Sequence, residues 1–325
     1  MKKLSFIVPI YNTQDYVVRC LTSLVNQNIP ATEYDIIIID DGSIDNGLEL
    51  VENFAKSYTN IRIFSQENKG PAEARNKGFE LSNSKYVWFI DSDDWITENC
   101  VKELLQIAED GNLDMFEVAP SIAAQSDFQK VFKGSSSISS VLSGKERLLS
   151  GDDVVGIWCY IYSSEFLRAN ELSFMKGIYS YEDEEFIPKA LFFAKRVAFI
   201  KDFSVYFYFI RENSVCRSFS KRSLFDKLYV ANSLSDFVKN NSMEDCLKNV
   251  FNYRASFVVL SGVNCLIAAN AEYELFSEYL AKAKQLHVYP LKAKSIEMKT
   301  RVLFWLWNTF PHITYKIKKN KNEKK

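Results

Sequence analysis

Between Asp91 and Asp94 the chain reads DSDD, three carboxylates within four positions, directly after the apolar run YVWFI. Carboxylates this close repel one another, and beside a buried strand end they need a cation to remain ionised. In an extended segment residues two apart face the same way, which points Asp91 and Asp93 together and Ser92 elsewhere. Two carboxylates on one side suit a hard divalent cation, Mn2+ or Mg2+, held jointly with substrate phosphates. Such a cation offsets the repulsion and neutralises a departing diphosphate; at ~4 Å and an effective dielectric near 20, each unit charge pair is worth roughly 4 kcal/mol before desolvation. The same tetrapeptide also fits a helix start, with Asp94 or Thr97 capping a helix from Glu98.

A second acidic run, Glu182 to Glu185 in YEDEEF, precedes a helical pattern, where the helix dipole alone favours it. Histidine occurs only at His287 and His312, so no histidine metal ligand is expected near either acidic run. The six cysteines are scattered without a CxxC pair, which weakens disulfide-framework and metal-site readings and fits a reducing cytoplasm.

The elements that must position these residues are legible as alternating patterns. LSFIVPI from Leu4, YDIIIID from Tyr34 and YVWFID from Tyr86 are continuous apolar runs, as strands buried on both faces of a parallel sheet should be. Between them Asp15 to Asn26 and Asp45 to Ser57 carry helical periodicity, a short strand IRIF begins at Ile61, and Pro71 opens a further helix. Strand and helix alternate, so the sheet is expected to be mostly parallel. All three runs end in polar groups: Tyr11-Asn12, Asp40-Asp41-Gly42-Ser43 and Asp91-Ser92-Asp93-Asp94. In an open α/β sheet that carboxyl edge binds ligands, although each motif alone fits turn and cap roles.

Farther on, Glu98 to Glu109 reads as helix, DMFEVA as an apolar segment, and Gln125 to Ser140 as a Ser-rich loop or hairpin. Glu184 to Ala194 is helical if Pro188 sits near its first turn. From about Arg217 the pattern is helical throughout. With 325 residues and a formal net charge of -1 the chain can bury a large core, and nothing in the balance suggests nucleic acid. The amino-terminal MKKLSFIVPIYN begins like a signal peptide but is broken at Pro9 and Asn12, which favours a first strand. No uninterrupted apolar stretch reaches the ~20 residues of a membrane span.

VPIYN at Val8, IIIDDGSIDNG at Ile37, NKGPAEARNKG at Asn68, DSDDW at Asp91 and YEDEEF at Tyr181 occur in a fixed order and spacing. In them the chain resembles family 2 glycosyltransferases of the bacterial polysaccharide type, up to YFYFIRENS at Tyr206. The resemblance implies a GT-A fold: a central, mostly parallel sheet flanked by helices over residues 1–216, followed by a helical region at 217–325 with a basic tail. Within the catalytic domain, residues 1–95 would bind the nucleotide sugar and 96–216 would form the acceptor side.

It further implies inverting transfer of a sugar from a nucleotide diphosphate, a UDP-sugar foremost, to a hydroxyl of a glycan or lipid-linked acceptor. Pro9 and Tyr11 would line the nucleobase and ribose pocket, Asp41 would accept a hydrogen bond from the base, and Arg75 would approach the phosphates or sugar. Asp91, Ser92 and Asp93 form the DXD-like motif at the donor, with Asp93 the more direct metal ligand beside Asp91. Asp183 would be the general base, oriented by Glu182. From the residues alone, Arg75 is equally a solvated helix residue and Tyr11 a packed aromatic.

The chain lacks a QxxRW motif after the acidic cluster, which favours single addition over processive synthesis. A nucleotidyltransferase is the enzyme alternative, against which PIYNTQDY stands where a glycine-rich loop would follow the first strand. A non-catalytic sugar-nucleotide or glycan-binding scaffold is the alternative from another class. At the other end, RVLFWLWNTFPHITYKIKKNKNEKK joins clustered aromatics to a tail with six lysines and one glutamate in its last ten residues. That composition suits either peripheral contact with an anionic membrane at the cytoplasmic face or a packed helix with a solvated tail.

Overall fold

The computed structural model describes residues 1–123, 138–154, 156–210, 219–292 and 298–322. The chain divides into two compact units, one of Met1–Ile178 with Lys189–Glu212 and one of Tyr179–Pro188 with Asn213–Lys325.

The first unit is built on an eight-stranded sheet with α-helices between its strands. In chain order its elements are β1 (Lys2–Ile10), α1 (Val17–Val25), β2 (Tyr34–Asp40), α2 (Gly47–Ala55), β3 (Ile61–Ser65), α3 (Pro71–Leu81), β4 (Ser84–Phe89), β5 (Trp95–Ile96) and α4 (Val101–Asp110). There follow β6 (Met115–Ala123), α5 (Gly144–Ser150), β7 (Tyr160–Ser163), α6 (Ser164–Ala169), α7 (Glu182–Phe193), which begins in the second unit, and β8 (Val197–Phe209). The spatial order is β3-β2-β1-β4-β7-β6-β8-β5. The block β3-β2-β1-β4 is parallel throughout, β6 and β8 are parallel, and the β4/β7, β6/β7 and β5/β8 pairs are antiparallel. The sheet is therefore mixed, with the parallel half at the amino-terminal end of the sequence.

β1, β2 and β4 are buried on both faces, which is why their sequences run apolar without alternation. Pro9 fits inside β1 because of the register. Ile7 accepts from Ile90 N–H, so odd residues of β1 face the β4 side, and that ladder has ended at Ile7 opposite Phe89. The N–H that proline lacks would have had no strand to meet.

Several helices start later than their periodicity suggests, because residues elsewhere bind the intervening segments. Asp45 receives N–H bonds from Gln14 and Gly47, holding it outside α2. The helix expected from Glu98 starts at Val101, since Gln27 Oε1 accepts from both Cys100 and Val101 N–H. Neither Asp94 nor Thr97 caps it. Pro188 was expected near a first turn but lies inside α7, where it cannot donate to the Glu184 carbonyl. Most of the stretch read as a Ser-rich loop lies outside the described residues.

The second unit is helical: α8 (Lys221–Asn240), α9 (Asp245–Ala268), α10 (Tyr273–Gln285), α11 (Met298–Thr309) and α12 (Pro311–Asn322), with α9 packed against α8, α10 and α12. Among the described residues α9 is the one helix long and apolar enough to cross a bilayer, although 56% of its most apolar window is buried inside the protein.

Candidate active site

The polar ends of β1, β2 and β4 come together at one edge of the sheet, laced by side-chain bonds. Asn12, with φ of 52°, donates its N–H to Ser43 Oγ and accepts the Ile44 N–H on Oδ1. Asp40 accepts from Ser43 N–H, and Gln14 Oε1 accepts from Asn46 N–H. The ends of β1 and β2 are thus one hydrogen-bonded body. Tyr11 projects from it, 46% exposed.

Asp41 is buried, and its carboxylate accepts from Gln66 Nε2, Lys69 N–H and Gly70 N–H at 2.8–2.9 Å. These bonds fold residues 66–70 against the edge and set the start of α3. Gly70, with φ of 90°, takes a conformation that a side chain would strain, and Pro71 opens the helix behind it.

Arg75, one turn into α3, is 4% exposed and donates from Nη2 to Asp91 Oδ1 at 2.6 Å. The solvated-helix reading of Arg75 is therefore incorrect. Residues 91–94 do not extend β4 but form a turn closed by Asp94 N–H on the Asp91 carbonyl. Pairing by alternate residues does not apply there, yet the turn brings three acids together instead of two. One carboxylate oxygen from each of Asp91, Asp93 and Asp94 lies within 4.8 Å of the others.

The three acids have different surroundings. Asp91 and Asp93 are partly exposed, and Asp94 is fully buried. Asp94 accepts from the Tyr206 hydroxyl at 2.6 Å and from Phe209 N–H at 2.8 Å, both on β8. Burial first, then the charges of Asp93 and Asp91, hold its carboxyl well above the usual carboxylate range against those two donors. The Tyr206 hydroxyl also accepts from Asp91 N–H, and its ring stacks on Trp158 with centroids 4.5 Å apart. Ser92 is buried and donates to Thr13 Oγ1.

Arg19 supplies a second cation. Its guanidinium lies 3.9 Å from the Trp95 ring centroid and 4.5 Å from that of Phe209, and Nη2 donates to the Asp93 carbonyl at 2.7 Å. The sequence pointed to neither Arg19 nor Tyr206 as part of this edge, and it did not show that Asp94 is buried against β8. Arg19 is the single charge in VVRCLTSLV, a signal that could have marked it; Tyr206 carries no local signal because its hydrogen-bond partners Asp91 and Asp94 are more than a hundred residues away.

Oxygen donors alone, three of them acidic and two partly open to solvent, fit a hard divalent cation better than a soft one. Asp93 and Asp91 are the positions that could hold it, since Asp94 is engaged by β8.

Glu182 and Asp183 lie in the second unit, at the first turn of α7. Tyr181 precedes them with φ of 68°, a conformation rare for a side-chain-bearing residue. Asp226 of α8 accepts from Tyr179 N–H at 3.0 Å, Ser180 and Ser223 share a hydroxyl bond, and Lys227 Nζ sits 3.6 Å from the Tyr181 ring centroid. Glu185 accepts from Ser233 Oγ. α8 therefore fixes the acidic turn in place. Glu182 is buried and Asp183 partly exposed.

Residues 5–134 match the model of Glycosyl transferase family 2. EpsH of Bacillus subtilis (strain 168), named as a glycosyltransferase, is 31% identical over 81% of this chain and 76% of its own length. The solved Staphylococcus aureus TarS 1-349 in complex with UDP-GlcNAc superposes with a TM-score of 0.73 at 20% identity, covering 99% of this chain and 92% of that one. In sequence the chain spans 36% of the whole of TarS, a poly(ribitol-phosphate) β-N-acetylglucosaminyltransferase. The mannosyltransferase PcManGT of Pyrobaculum calidifontis, solved with GDP-Man and Mn2+, shares the fold at a TM-score of 0.57 and 12% identity over 98% of this chain and 84% of its own. By its motifs, its sheet and these relatives, the chain belongs to the family 2 glycosyltransferases and carries the GT-A fold.

Proposed function

We propose that the protein transfers one sugar at a time, with inversion, from a UDP-sugar to a hydroxyl of a glycan or lipid-linked acceptor in bacterial surface polysaccharide synthesis. The observation that carries this reading is the carboxyl-edge cluster of Asp91, Asp93 and Asp94, with buried Arg75 on Asp91. It supplies both a cation site and a fixed guanidinium where a diphosphate needs them. TarS, which shares the fold, binds UDP-GlcNAc, and this favours a uridine donor.

In this reading residues 1–216 are the catalytic domain and 217–325 a helical region. Pro9 and Tyr11 flank the base and ribose. Asp41 shapes the base pocket through the 66–70 loop and offers its remaining Oδ2 lone pair to the base. Asp93 and Asp91 would hold Mn2+ or Mg2+, which when bound neutralises the diphosphate leaving group. Arg75 faces the same phosphates, and Ser92 keeps the turn closed against Thr13.

Asp183 accepts the proton of the acceptor hydroxyl as that oxygen bonds to the anomeric carbon, and Glu182 orients it. The bond to the diphosphate oxygen breaks on the opposite face, so the configuration inverts. Ordinary carboxylate basicity suffices, because the hydroxyl becomes acidic as its oxygen donates density. The reaction is placed in the cytoplasm, a reading supported by the five described cysteines, all free thiols. The test is release of nucleoside diphosphate from UDP-, GDP- and dTDP-sugars by the purified chain with Mn2+. Release that is fastest with one UDP-sugar supports the reading; no binding and no release with any donor, with or without metal, removes it.

A further inference from the structure

The second unit carries an apolar surface that its own core does not use. α11 and α12 bury Phe304, Trp307 and Tyr315 on one side. On the other, Met298, Val302 and Trp305 of α11 and Ile313 and Ile317 of α12 are each at least half exposed, and Phe310 between the helices is 45% exposed. Their spacings are three and four residues within each helix, so each set forms a stripe along its helix. The Trp305 and Phe310 rings meet edge to face at 5.9 Å, which joins the α11 stripe to the turn that leads into α12.

Charge distinguishes this surface from an ordinary apolar patch. Residues 298–322 hold six Lys and Arg residues and no Asp or Glu, in a chain whose formal net charge is -1. Lys299 and Arg301 are exposed beside the α11 stripe, and Lys316 is exposed beside Ile313 and Ile317. Large aliphatic and aromatic side chains ringed by cations, with acids excluded, complement a surface that is anionic at the headgroups and apolar just beneath them. A hydrophobic protein partner would supply no reason for the exclusion of acids.

We infer that the outer face of α11 and α12 docks on the surface of an anionic lipid bilayer, with Trp305, Phe310, Ile313 and Ile317 inserted to the acyl boundary and Lys299, Arg301 and Lys316 at the headgroups. The helices lie in the interface and do not span it: each has 12 residues, too few to cross the hydrocarbon. This inference stands apart from the transferase reading, since it needs neither donor nor metal.

The experiment is co-sedimentation of the full chain with phosphatidylglycerol–phosphatidylcholine vesicles and with pure phosphatidylcholine vesicles, at low and high salt, without nucleotide. The wild-type chain binds the anionic vesicles, loses most binding at high salt and binds the neutral vesicles weakly. Trp305→Ser combined with Ile317→Ser removes two exposed side chains, leaves the fold intact by circular dichroism, and lowers anionic-vesicle binding by more than tenfold. Lys316→Glu lowers it by about fivefold or more, the loss expected for a cation near an anionic surface. Equal binding by wild-type and Trp305→Ser/Ile317→Ser chains, or no vesicle binding by the wild type, overturns the inference. So does a wild-type dimer in sedimentation equilibrium that the double variant converts to monomer without any difference on vesicles, which would assign the stripes to a second copy.

Discussion

At the scale of single residues, Asp91 and Asp93 of the DSDD turn should respond differently to substitution. Asp93→Ala removes a partly exposed carboxylate and relieves repulsion on Asp91 and Asp94, so the chain should stay folded while metal-dependent donor binding disappears. Asp91→Ala removes the 2.6 Å partner of an arginine that is 4% exposed, and should lower stability by about 1.5–3 kcal/mol in addition to abolishing binding. Melting curves with titration calorimetry separate the two variants. EDTA-resistant, undiminished donor affinity in Asp93→Ala removes the metal role. Asp183→Asn keeps size and some hydrogen bonds but cannot take a proton, so transfer should fall about 10² to 10⁴-fold with donor affinity unchanged. Were Asp183 merely a helix-dipole carboxylate, the change would be under about 1 kcal/mol in stability and negligible in rate. Near wild-type transfer by Asp183→Asn with a known donor and acceptor transfers the role to Glu182 or Glu185. Asp91 and Asp93 were legible from sequence because charge repulsion is local. Asp94 was legible as a third acid on that edge, but its burial was not, because its partners Tyr206 and Phe209 lie more than a hundred residues away.

At the scale of elements, the strands were legible because burial on both faces leaves an unbroken apolar run, and so was the start of α3 at Pro71, whereas the starts of α2 and α4 were not, because side chains from other segments decide them. Gln27 in the segment after α1 caps α4, and no pattern near Cys100 reports that. The packing of α3 shows how an element transmits such constraints to the site. Gly78 sits where a Cβ would lie 2.4 Å from Ile7 Cγ2 and 3.4 Å from Ile39 Cγ1, so α3 rests directly on β1 and β2 at this point. Arg75 is three residues earlier, on the same helix face. Gly78→Ala must therefore lift the helix or displace Ile7, at about 1–3 kcal/mol. The expected outcome is a lower melting temperature together with weaker donor binding, because the lift carries Arg75 away from Asp91. Lost stability with unchanged donor affinity would show that Ile7 yields and α3 does not move.

At the scale of the whole molecule, composition concealed how function is divided. A net charge of -1 averages an acidic sheet edge in the first unit with the acid-free α11 and α12 in the second. Sequence periodicity separated an α/β part from a helical part, but it could not show that residues 179–188, which carry Glu182 and Asp183, cluster with the helical unit; only packing on Asp226, Ser223 and Ser233 of α8 does that. The proposed donor residues Pro9, Tyr11, Asp41, Arg75, Asp91, Ser92 and Asp93 all belong to the first unit. A ligand stabilises what it binds, by about 2.7 kcal/mol at 100-fold excess over its dissociation constant. Hydrogen exchange with a UDP-sugar and Mn2+ should therefore slow in β1, β2, β4 and α3 and leave α10, α11 and α12 unchanged, and EDTA should cancel the slowing. Protection confined to α10–α12 would place the donor in the helical unit, and protection that survives EDTA would show that Asp91 and Asp93 hold it without a metal.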